Sequence, residues 1–271
     1  MPSYVIIGVS RSLGWEFMNT ISSDPNNTVI GLVRDKTATE KKVSEELKGR
    51  SNITILEADL TNYNALKKAA SETAAIIDGK LDYLIANAAL IGQYDAYDVI
   101  GDLGADPDEL TEQFHLAMNT NVLSNVYLYN LFTPQILEGN VKKVVFFTSG
   151  IGDMDWVNKY DLYSSSLYST TKAAMNMLNA KFTAQYKKDG VLFLSIYPGM
   201  VDVGHFDPNS VTPKQQTAVG YLMEKSKDYA PDFKDADSPP DAVKAVLSVV
   251  KKSSIDNGDG GAFLSHYGNK Q

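Results

Sequence analysis

A tyrosine and a lysine four residues apart, Tyr168 and Lys172, are the pair in this sequence best suited to chemistry. In a helix, residues at this spacing share one face. A neighbouring ammonium group favours the phenolate and so lowers the pKa of a tyrosine, which is about 10 when unperturbed. A tyrosine tuned in this way can act as a general acid or a general base. The alternative is two surface residues on one helical face, because the spacing is also common by chance.

A serine at the end of an apolar run is a second candidate. Ser149 follows "VVFFT" (144–148), and its hydroxyl could donate to a substrate oxygen as negative charge develops there. The pattern argues against a serine hydrolase, because Phe147 stands where a nucleophile elbow needs glycine. Tyr163 is a rival to Tyr168, but no lysine stands four residues after it. These residues therefore favour proton transfer over nucleophilic attack.

A glycine-containing turn near the N-terminus could hold an anion. Gly8 and Gly14 bracket a turn between the apolar run 4–9 and a helix, and Arg11 lies inside it. Such a turn lets the backbone approach phosphates, whose charge a helix N-terminus favours. The literal G-x-G-x-x-G pattern is absent, so a plain tight turn remains the alternative.

The residues that end the second apolar run bear on the choice of dinucleotide. An acidic residue at this place binds the 2′-hydroxyl of NAD, whereas arginine accommodates the 2′-phosphate of NADP. Val33 and Arg34 stand 19 and 20 residues past Gly14, and Asp35 comes only after the arginine. Two arginines converging on the ribose would attract a phosphate. We therefore predict NADP(H) as the cofactor.

The elements that must position these residues are alternating strands and helices. Continuous apolar runs predict seven buried strands, at 4–9, 28–33, 53–56, 81–86, 144–148, 191–196 and 261–266. Three helices are predicted between the strands. The first has a capping box, Thr37/Glu40, before Val43 and Leu47. The other two have apolar faces made of Leu66, Ala69, Ala70, Thr73 and Ile77, and of Ala174, Met177, Leu178 and Phe182. A last helix is expected over 241–250 after Pro239 and Pro240. The pattern predicts a single α/β, Rossmann-like doubly wound domain over 1–271 with a mostly parallel seven-stranded sheet. The irregular segments 90–108, 150–166 and 200–238 are candidate pocket walls.

Composition restricts the partners. The chain has 271 residues, a net charge of −8 and no cysteine, which argues against nucleic acid and anionic membranes as main partners and against thiolate metal sites. His115, His205 and His266 lack metal-ligand spacing, so no metal is expected. Neither a signal peptide nor an apolar run of membrane-spanning length is found, and a cytoplasmic protein is the expectation.

With these motifs in order, the chain resembles a short-chain dehydrogenase/reductase over nearly its whole length. The glycine pattern of that family, T-G-x-x-x-G-x-G, corresponds to residues 7–14, with Ile7 and Ser12 as departures. "ANAA" (86–89) is similar to its N-N-A-G motif, with Ala89 in place of the last glycine. "YPGMV" (197–201) is similar to its P-G-x-V motif, with Val203 where threonine is common.

The resemblance implies the roles of individual residues. The catalytic set would be Asn121, Ser149, Tyr168 and Lys172. Lys172 would also bind the nicotinamide ribose, and Asn121 would hold a water in a proton relay. The cofactor site would comprise Gly8, Ser10, Arg11, Leu13, Gly14, Arg34, Asp59, Leu60, Asn87, Ala88, Tyr168, Lys172, Pro198, Gly199 and Val201. The long interval between Ser149 and Tyr168 resembles that of ketoreductases similar to norsolorinic acid ketoreductase.

The substrate is expected to be a bulky, apolar or aromatic ketone or the matching alcohol. Aromatic and apolar side chains crowd the segment before Tyr168 and the expected lid 200–238. The predicted substrate-binding residues are Ser149, Met154, Trp156, Tyr163, Tyr168 and Phe206. The resemblance implies a homodimer or homotetramer. Two other functions remain open, namely an NADP-binding sensor or scaffold without turnover and an NAD-dependent alcohol dehydrogenase working oxidatively.

Overall fold

A computed structural model of the chain describes residues 1–204, 212–229 and 235–270. Its centre is a seven-stranded parallel sheet in the order β3-β2-β1-β4-β5-β6-β7. The strands are β1 (Ser3–Ile7), β2 (Thr28–Val33), β3 (Ile53–Glu57), β4 (Tyr83–Ala86), β5 (Lys143–Phe147), β6 (Leu192–Tyr197) and β7 (Phe263–Ser265). All seven predicted strands are therefore confirmed, and the sheet is wholly parallel.

Helices connect the strands and cover both faces of the sheet. They are α1 (Ser12–Ser22), α2 (Lys36–Glu46), α3 (Tyr63–Ile76), α4 (Ile100–Leu103), α5 (Pro107–Met118), α6 (Ser124–Glu138), α7 (Met154–Tyr160), α8 (Ser166–Tyr186), α9 (Pro213–Tyr229) and α10 (Pro239–Lys252). A π-helical turn, Asn119–Leu123, joins α5 to α6. Two short 3₁₀ turns, Gly150–Gly152 and Lys187–Asp189, follow β5 and α8. The predicted C-terminal helix is confirmed as α10.

Alternation along each strand divides the core into two layers. Val5 and Ile7 of β1 pack with helices α3, α6 and α8, whereas Ile6 packs on the opposite face with α1 and α10. Successive side chains of a strand point to opposite faces, so a strand covered on both sides must be apolar throughout. This burial is the physical reason that the strands read as continuous apolar runs in the sequence.

Two details of the predicted helices are wrong. The cap of α2 is Asp35, which accepts a hydrogen bond from the backbone N–H of Ala38 at 2.9 Å, and not Thr37. On α8, Met177 is 61% exposed, whereas Met175 and Phe182 are buried. The apolar stripe of α8 is interrupted by the polar residues that the site requires, so its buried face could not be read from hydrophobicity alone.

The chain order of the strands creates a crevice beside β1. From β1 the chain winds outward through β2 and β3 and then returns to β4 on the other side of β1. The carboxyl ends of β1 and β4 therefore face a gap between diverging connections, which is where open α/β sheets bind ligands.

The expected lid 200–238 lies partly outside the described residues. Its two ends are joined, because Asp237 donates its N–H to Met200 O at 2.8 Å and accepts from Asp202 N at 3.0 Å. The segment thus leaves and rejoins the body at one point, with α9 between. That it acts as a lid stays a prediction.

Candidate active site

A cleft of about 610 Å³ lies at the carboxyl ends of the strands. It brings together most residues of the predicted cofactor site, namely Gly8, Ser10, Arg11, Leu13, Arg34, Asp59, Leu60, Asn87, Ala88, Tyr168, Lys172, Pro198, Gly199 and Val201. Ser149 also lines it. Gly14 and Asn121 do not, although both lie in elements that border the cleft. Residues far apart in sequence therefore share one cavity.

The glycine turn brings the start of α1 against the end of β1. A Cβ on Gly14 would lie 2.1 Å from Gly8 O, so no larger residue fits at that crossing. Ser12, where the family pattern has glycine, has a φ of 52°, a left-handed conformation that glycine adopts more easily. Its hydroxyl donates to Val203 O at 3.3 Å, which links the turn to the segment after β6.

The N-terminus of α1 is an anion-binding end that no side chain of its own fills. Arg11 at the N-cap makes no side-chain cap, and the first turn contains no acidic residue. The first N–H groups of a helix lack partners within the helix and carry partial positive charge. A phosphate group in the cleft would therefore meet backbone donors as well as Arg11. The turn fits the pyrophosphate of a dinucleotide.

The outer end of the cleft is basic. Arg11 and Arg34 are both exposed and both line the cleft. Asp35, the first carboxylate after β2, is engaged as the cap of α2. Lys42, which the sequence reasoning missed, reaches Ser10 O at 3.4 Å and lies 3.9 Å from the centre of the Trp15 ring. The only signal for Lys42 in the sequence was its position on the helix that follows β2.

Asp59 lies in a turn at the same end of the cleft, where hydrogen bonds favour its ionised form. Its carboxylate accepts from the Thr61 hydroxyl at 2.7 Å and from the Thr61 N–H at 2.8 Å. These two bonds lower the pKa of Asp59, and the charge of Arg34 adds a smaller effect in the same direction. The Asp59 carboxylate therefore lies close enough to Arg34 for their charges to interact.

Tyr168 and Lys172 lie one turn apart on α8, as predicted. The Lys172 ammonium is 5.1 Å from the centre of the Tyr168 ring and donates to Phe147 O at 2.7 Å. Lys172 is only 2% exposed, and burial lowers its pKa to about 7. Burial raises the pKa of Tyr168 well above its usual value, and Tyr197 adds to this. The expected lowering of the tyrosine pKa is thus absent here, because burial disfavours the charged phenolate.

Ser149 is placed beside this pair by the turn that follows β5. It has an extended backbone, and its carbonyl accepts from Gly152 N at 2.9 Å to close the 3₁₀ turn. A Cβ on Gly152 would lie 2.7 Å from the Cβ of Lys172, so glycine is needed for the turn to pack against α8. This close approach brings Ser149 into the cleft that Tyr168 lines.

Asn121 holds a loop of the cleft. Its amide oxygen accepts from Leu90 N at 2.7 Å, and its amide nitrogen donates to Leu90 O at 2.8 Å and to the Thr171 hydroxyl at 3.2 Å. All three contacts are within the protein. The side chain therefore joins the loop after β4 to α8, and its expected role in holding a water stays a prediction.

Asp95 is a residue of the site that the sequence reasoning missed. It is 3% exposed, and its carboxylate accepts from Leu167 N at 2.7 Å and from Tyr168 N at 3.3 Å. The N-cap residue Ser165 makes no cap with its own side chain. A carboxylate from a loop 72 residues away thus caps the helix that carries Tyr168. No local pattern could reveal this, since the cap is not adjacent in sequence.

A second cavity of about 160 Å³ adjoins the cleft through Ser149, Tyr197 and Gly199. Its walls include Trp156, as predicted, together with residues that were not predicted as binding residues, namely Ile151, Tyr160, Leu162, Met200, Leu222, Lys225 and Ser226. Met154 is 75% exposed, and Tyr163 packs on Tyr221 with ring centres 4.6 Å apart. The structure brings neither Met154 nor Tyr163 to this cavity, and Phe206 lies outside the described residues.

The described part of the chain contains neither a metal-binding cluster nor a membrane-spanning helix. Among residues 1–204, 212–229 and 235–270, no three histidine, cysteine or acidic side chains are grouped as a metal site would require. Within the same ranges, every helix is too short or too polar to cross a bilayer.

Comparisons with known proteins agree with this geometry. The model of the short chain dehydrogenase family matches residues 3–213. The short chain dehydrogenase virK of Hypocrea virens is 54% identical over 271 residues, which is 100% of this chain and 99% of that protein. The short-chain dehydrogenase/reductase iacC of Pestalotiopsis fici is 49% identical over 272 residues, again with 100% and 99% coverage.

A solved structure shares the fold. The NADPH-bound carbonyl reductase from chicken fatty liver matches with a TM-score of 0.78 at 19% identity, over 100% of this chain and 98% of that one. From the family match and the two fungal relatives, this chain belongs to the short-chain dehydrogenase/reductase family of oxidoreductases.

Proposed function

We propose that this protein is an NADPH-dependent carbonyl reductase that reduces a bulky, apolar or aromatic ketone, with Tyr168 as the general acid. The observation that carries the proposal is the single cleft that Tyr168 and Lys172 share with the glycine turn and Arg34. A proton donor, an anion-binding helix end and a basic ribose end are the parts that this reaction needs in one cavity.

The residues of the cleft suit NADPH. The cofactor, when bound, supplies the hydride. The pyrophosphate would meet the N-terminus of α1, and the 2′-phosphate would meet Arg11 and Arg34, whose guanidinium groups form charge-assisted bonds with phosphate oxygens. The engagement of Asp35 as a helix cap supports NADP over NAD. The chicken-liver neighbour is an NADPH-bound protein, which is consistent with this choice.

The electrostatics of the pair suit reduction. The Tyr168 hydroxyl, whose pKa burial raises, holds its proton at neutral pH, so a proton is available for a ketone oxygen as negative charge develops on it. Lys172, with a pKa of about 7, is partly protonated at that pH and would stabilise the phenolate left behind. The Ser149 hydroxyl would donate a second hydrogen bond to the same oxygen. Asn121 and Asp95 would act as positioning residues for this set.

Several finer assignments belong to the same proposal. The long interval between Ser149 and Tyr168, which includes α7, supports a place among ketoreductases similar to norsolorinic acid ketoreductase. A cytoplasmic location and a homodimer or homotetramer remain predictions from the sequence.

The first test is oxidation of NADPH and of NADH, followed by absorbance, with a panel of aromatic and aliphatic ketones. Turnover with NADPH preferred is expected. NADPH binding without turnover on any ketone would support a sensor or scaffold instead, and efficient alcohol oxidation with NAD⁺ would support a dehydrogenase.

The role of Tyr168 is tested by Tyr168→Phe. We expect kcat to fall about 100-fold or more while the Kd for NADPH is unchanged, because only the proton donor is removed. Tyr186→Phe, at the other end of α8, is the matched control and should keep kcat. Retained turnover in Tyr168→Phe would refute the assignment of the acid.

A further inference from the structure

One cation, Lys225, lines the small cavity next to Ser149. Lys225 is the only charged side chain among the described residues that line this cavity. Trp156, Tyr160 and Tyr197 supply aromatic walls on the same cavity. A ketone that was apolar throughout would have no use for an ammonium group here, and would leave it without a partner in the cavity.

The position of Lys225 is set by contacts that do not involve its own charge. The Tyr221 hydroxyl, one turn earlier on α9, donates to Asp161 O at 2.6 Å, which ties α9 to the end of α7. The Tyr221 ring also packs on that of Tyr163. Lys214 at the start of α9 pairs with Asp98 in the loop after β4. The helix is therefore attached on two sides, and Leu222, Lys225 and Ser226 form the face it presents to the cavity.

The existing partner of Lys225 is weak. Its ammonium lies 3.6 Å from the carboxylate of Asp228, whose side chain is 52% exposed, and 5.4 Å from the centre of the Tyr221 ring. The side chain of Lys225 is itself 21% exposed. An ion pair with an exposed carboxylate contributes little, because water competes for both groups. An anion in the cavity would approach the same ammonium in a drier setting, where charge interactions are stronger.

We propose that the ketone substrate carries an anionic oxygen group, a carboxylate or an ionised phenol, and that Lys225 binds it while the aromatic walls hold the ring. The inference rests on the proposed function and names the class of substrate for the same site. Lys225 is then a specificity-determining residue that holds the end of the substrate away from the ketone, whose oxygen lies at Ser149 and Tyr168.

The test compares an acid with its neutral ester. Wild type, Lys225→Met and Lys227→Met are assayed with NADPH on 4-acetylbenzoate, methyl 4-acetylbenzoate and 4-hydroxyacetophenone across pH. Lys227 is exposed on the same helix and does not line the cavity, so its variant is the matched control. In wild type, the acid should be reduced with a kcat/KM about tenfold above that of the ester, and Lys225→Met should abolish this preference.

The remaining measurements test whether charge causes the preference and which anionic group is recognised. Raising the salt concentration should shrink the preference, because it screens the ammonium. A preference for 4-hydroxyacetophenone that develops only as its phenol ionises would identify a phenolate as the recognised group. A preference confined to 4-acetylbenzoate would identify a carboxylate.

The outcomes distinguish this inference from the proposed function. Equal reduction of acid and ester by wild type, with Lys225→Met unchanged, would overturn the inference and leave the carbonyl reductase standing. If wild type reduces none of the three ketones, their binding to the NADPH complex is measured by calorimetry. Tighter binding of 4-acetylbenzoate that is lost in Lys225→Met would support the anion site, and no difference would overturn it.

Discussion

Lys172 should make the unfolding free energy of the cofactor-free protein depend on pH in an unusual direction. Its ammonium is 2% exposed, and burial lowers its pKa from an ordinary value near 10.5 to about 7. Between these two values the unfolded chain binds a proton that the folded chain does not. Stability therefore rises with pH across this window.

The size of the effect follows from the two pKa values. One proton of linkage changes the unfolding free energy by about 1.4 kcal/mol for each pH unit. Between about pH 7.5 and 9.5, with partial protonation at the lower end, Lys172 should contribute a gain of about 2–3 kcal/mol. Lys172→Met keeps the aliphatic stem and removes the charge, so this component should vanish. The variant should also be more stable than wild type at pH 7.5, because it no longer buries an amine.

The assay is urea unfolding of wild type and Lys172→Met at several pH values, without cofactor. Other groups titrate in this range as well, including Lys143, whose pKa burial also lowers, so the difference between the two proteins is the quantity that matters. Lys181→Met, at an exposed position of the same helix, should keep the wild-type pH dependence. A difference between wild type and Lys172→Met that stays constant from pH 7.5 to 9.5 would show that Lys172 keeps an ordinary pKa, and the reasoning would be refuted.

Two further predictions concern the cleft. Arg34→Ala should weaken NADPH binding by about tenfold or more and leave NADH binding unchanged in fluorescence titrations, because only NADPH carries the 2′-phosphate. Lys36→Ala, outside the cleft, is the control. Equal losses of affinity for both cofactors would refute the assignment of Arg34 to the 2′-phosphate. Asp95→Ala should cost about 2–3 kcal/mol in urea unfolding, since it removes the cap of α8 and leaves the buried Leu167 N–H and the part-buried Tyr168 N–H without this acceptor. Asp95→Asn, which keeps an acceptor oxygen, should cost only about 1 kcal/mol; identical losses in both variants would contradict the capping role.

The local motifs of the sequence were sufficient to predict the fold. Buried parallel strands have no polar face, so each one reads as an apolar run, and all seven runs are strands in the structure. The order of the glycine turn, the strand ends and the Tyr168–Lys172 couple carried the family resemblance, and that resemblance implied most of the residues that line the cleft. These features depend on residues that are close together in the sequence, so they can be recognised from the sequence alone.

The pKa values, the long-range caps and the cavity wall were decided by the tertiary structure. Tyr168 gained a raised pKa and not the expected lowered one, because burial depends on what packs around the ring. Asp95 caps α8 from 72 residues away, and Lys225 enters the cavity only because α9 is tied to α7. Desolvation and contacts between distant segments have no local signature. The sequence alone determined which groups could react, and the tertiary structure decided how strongly each one is charged and what it faces.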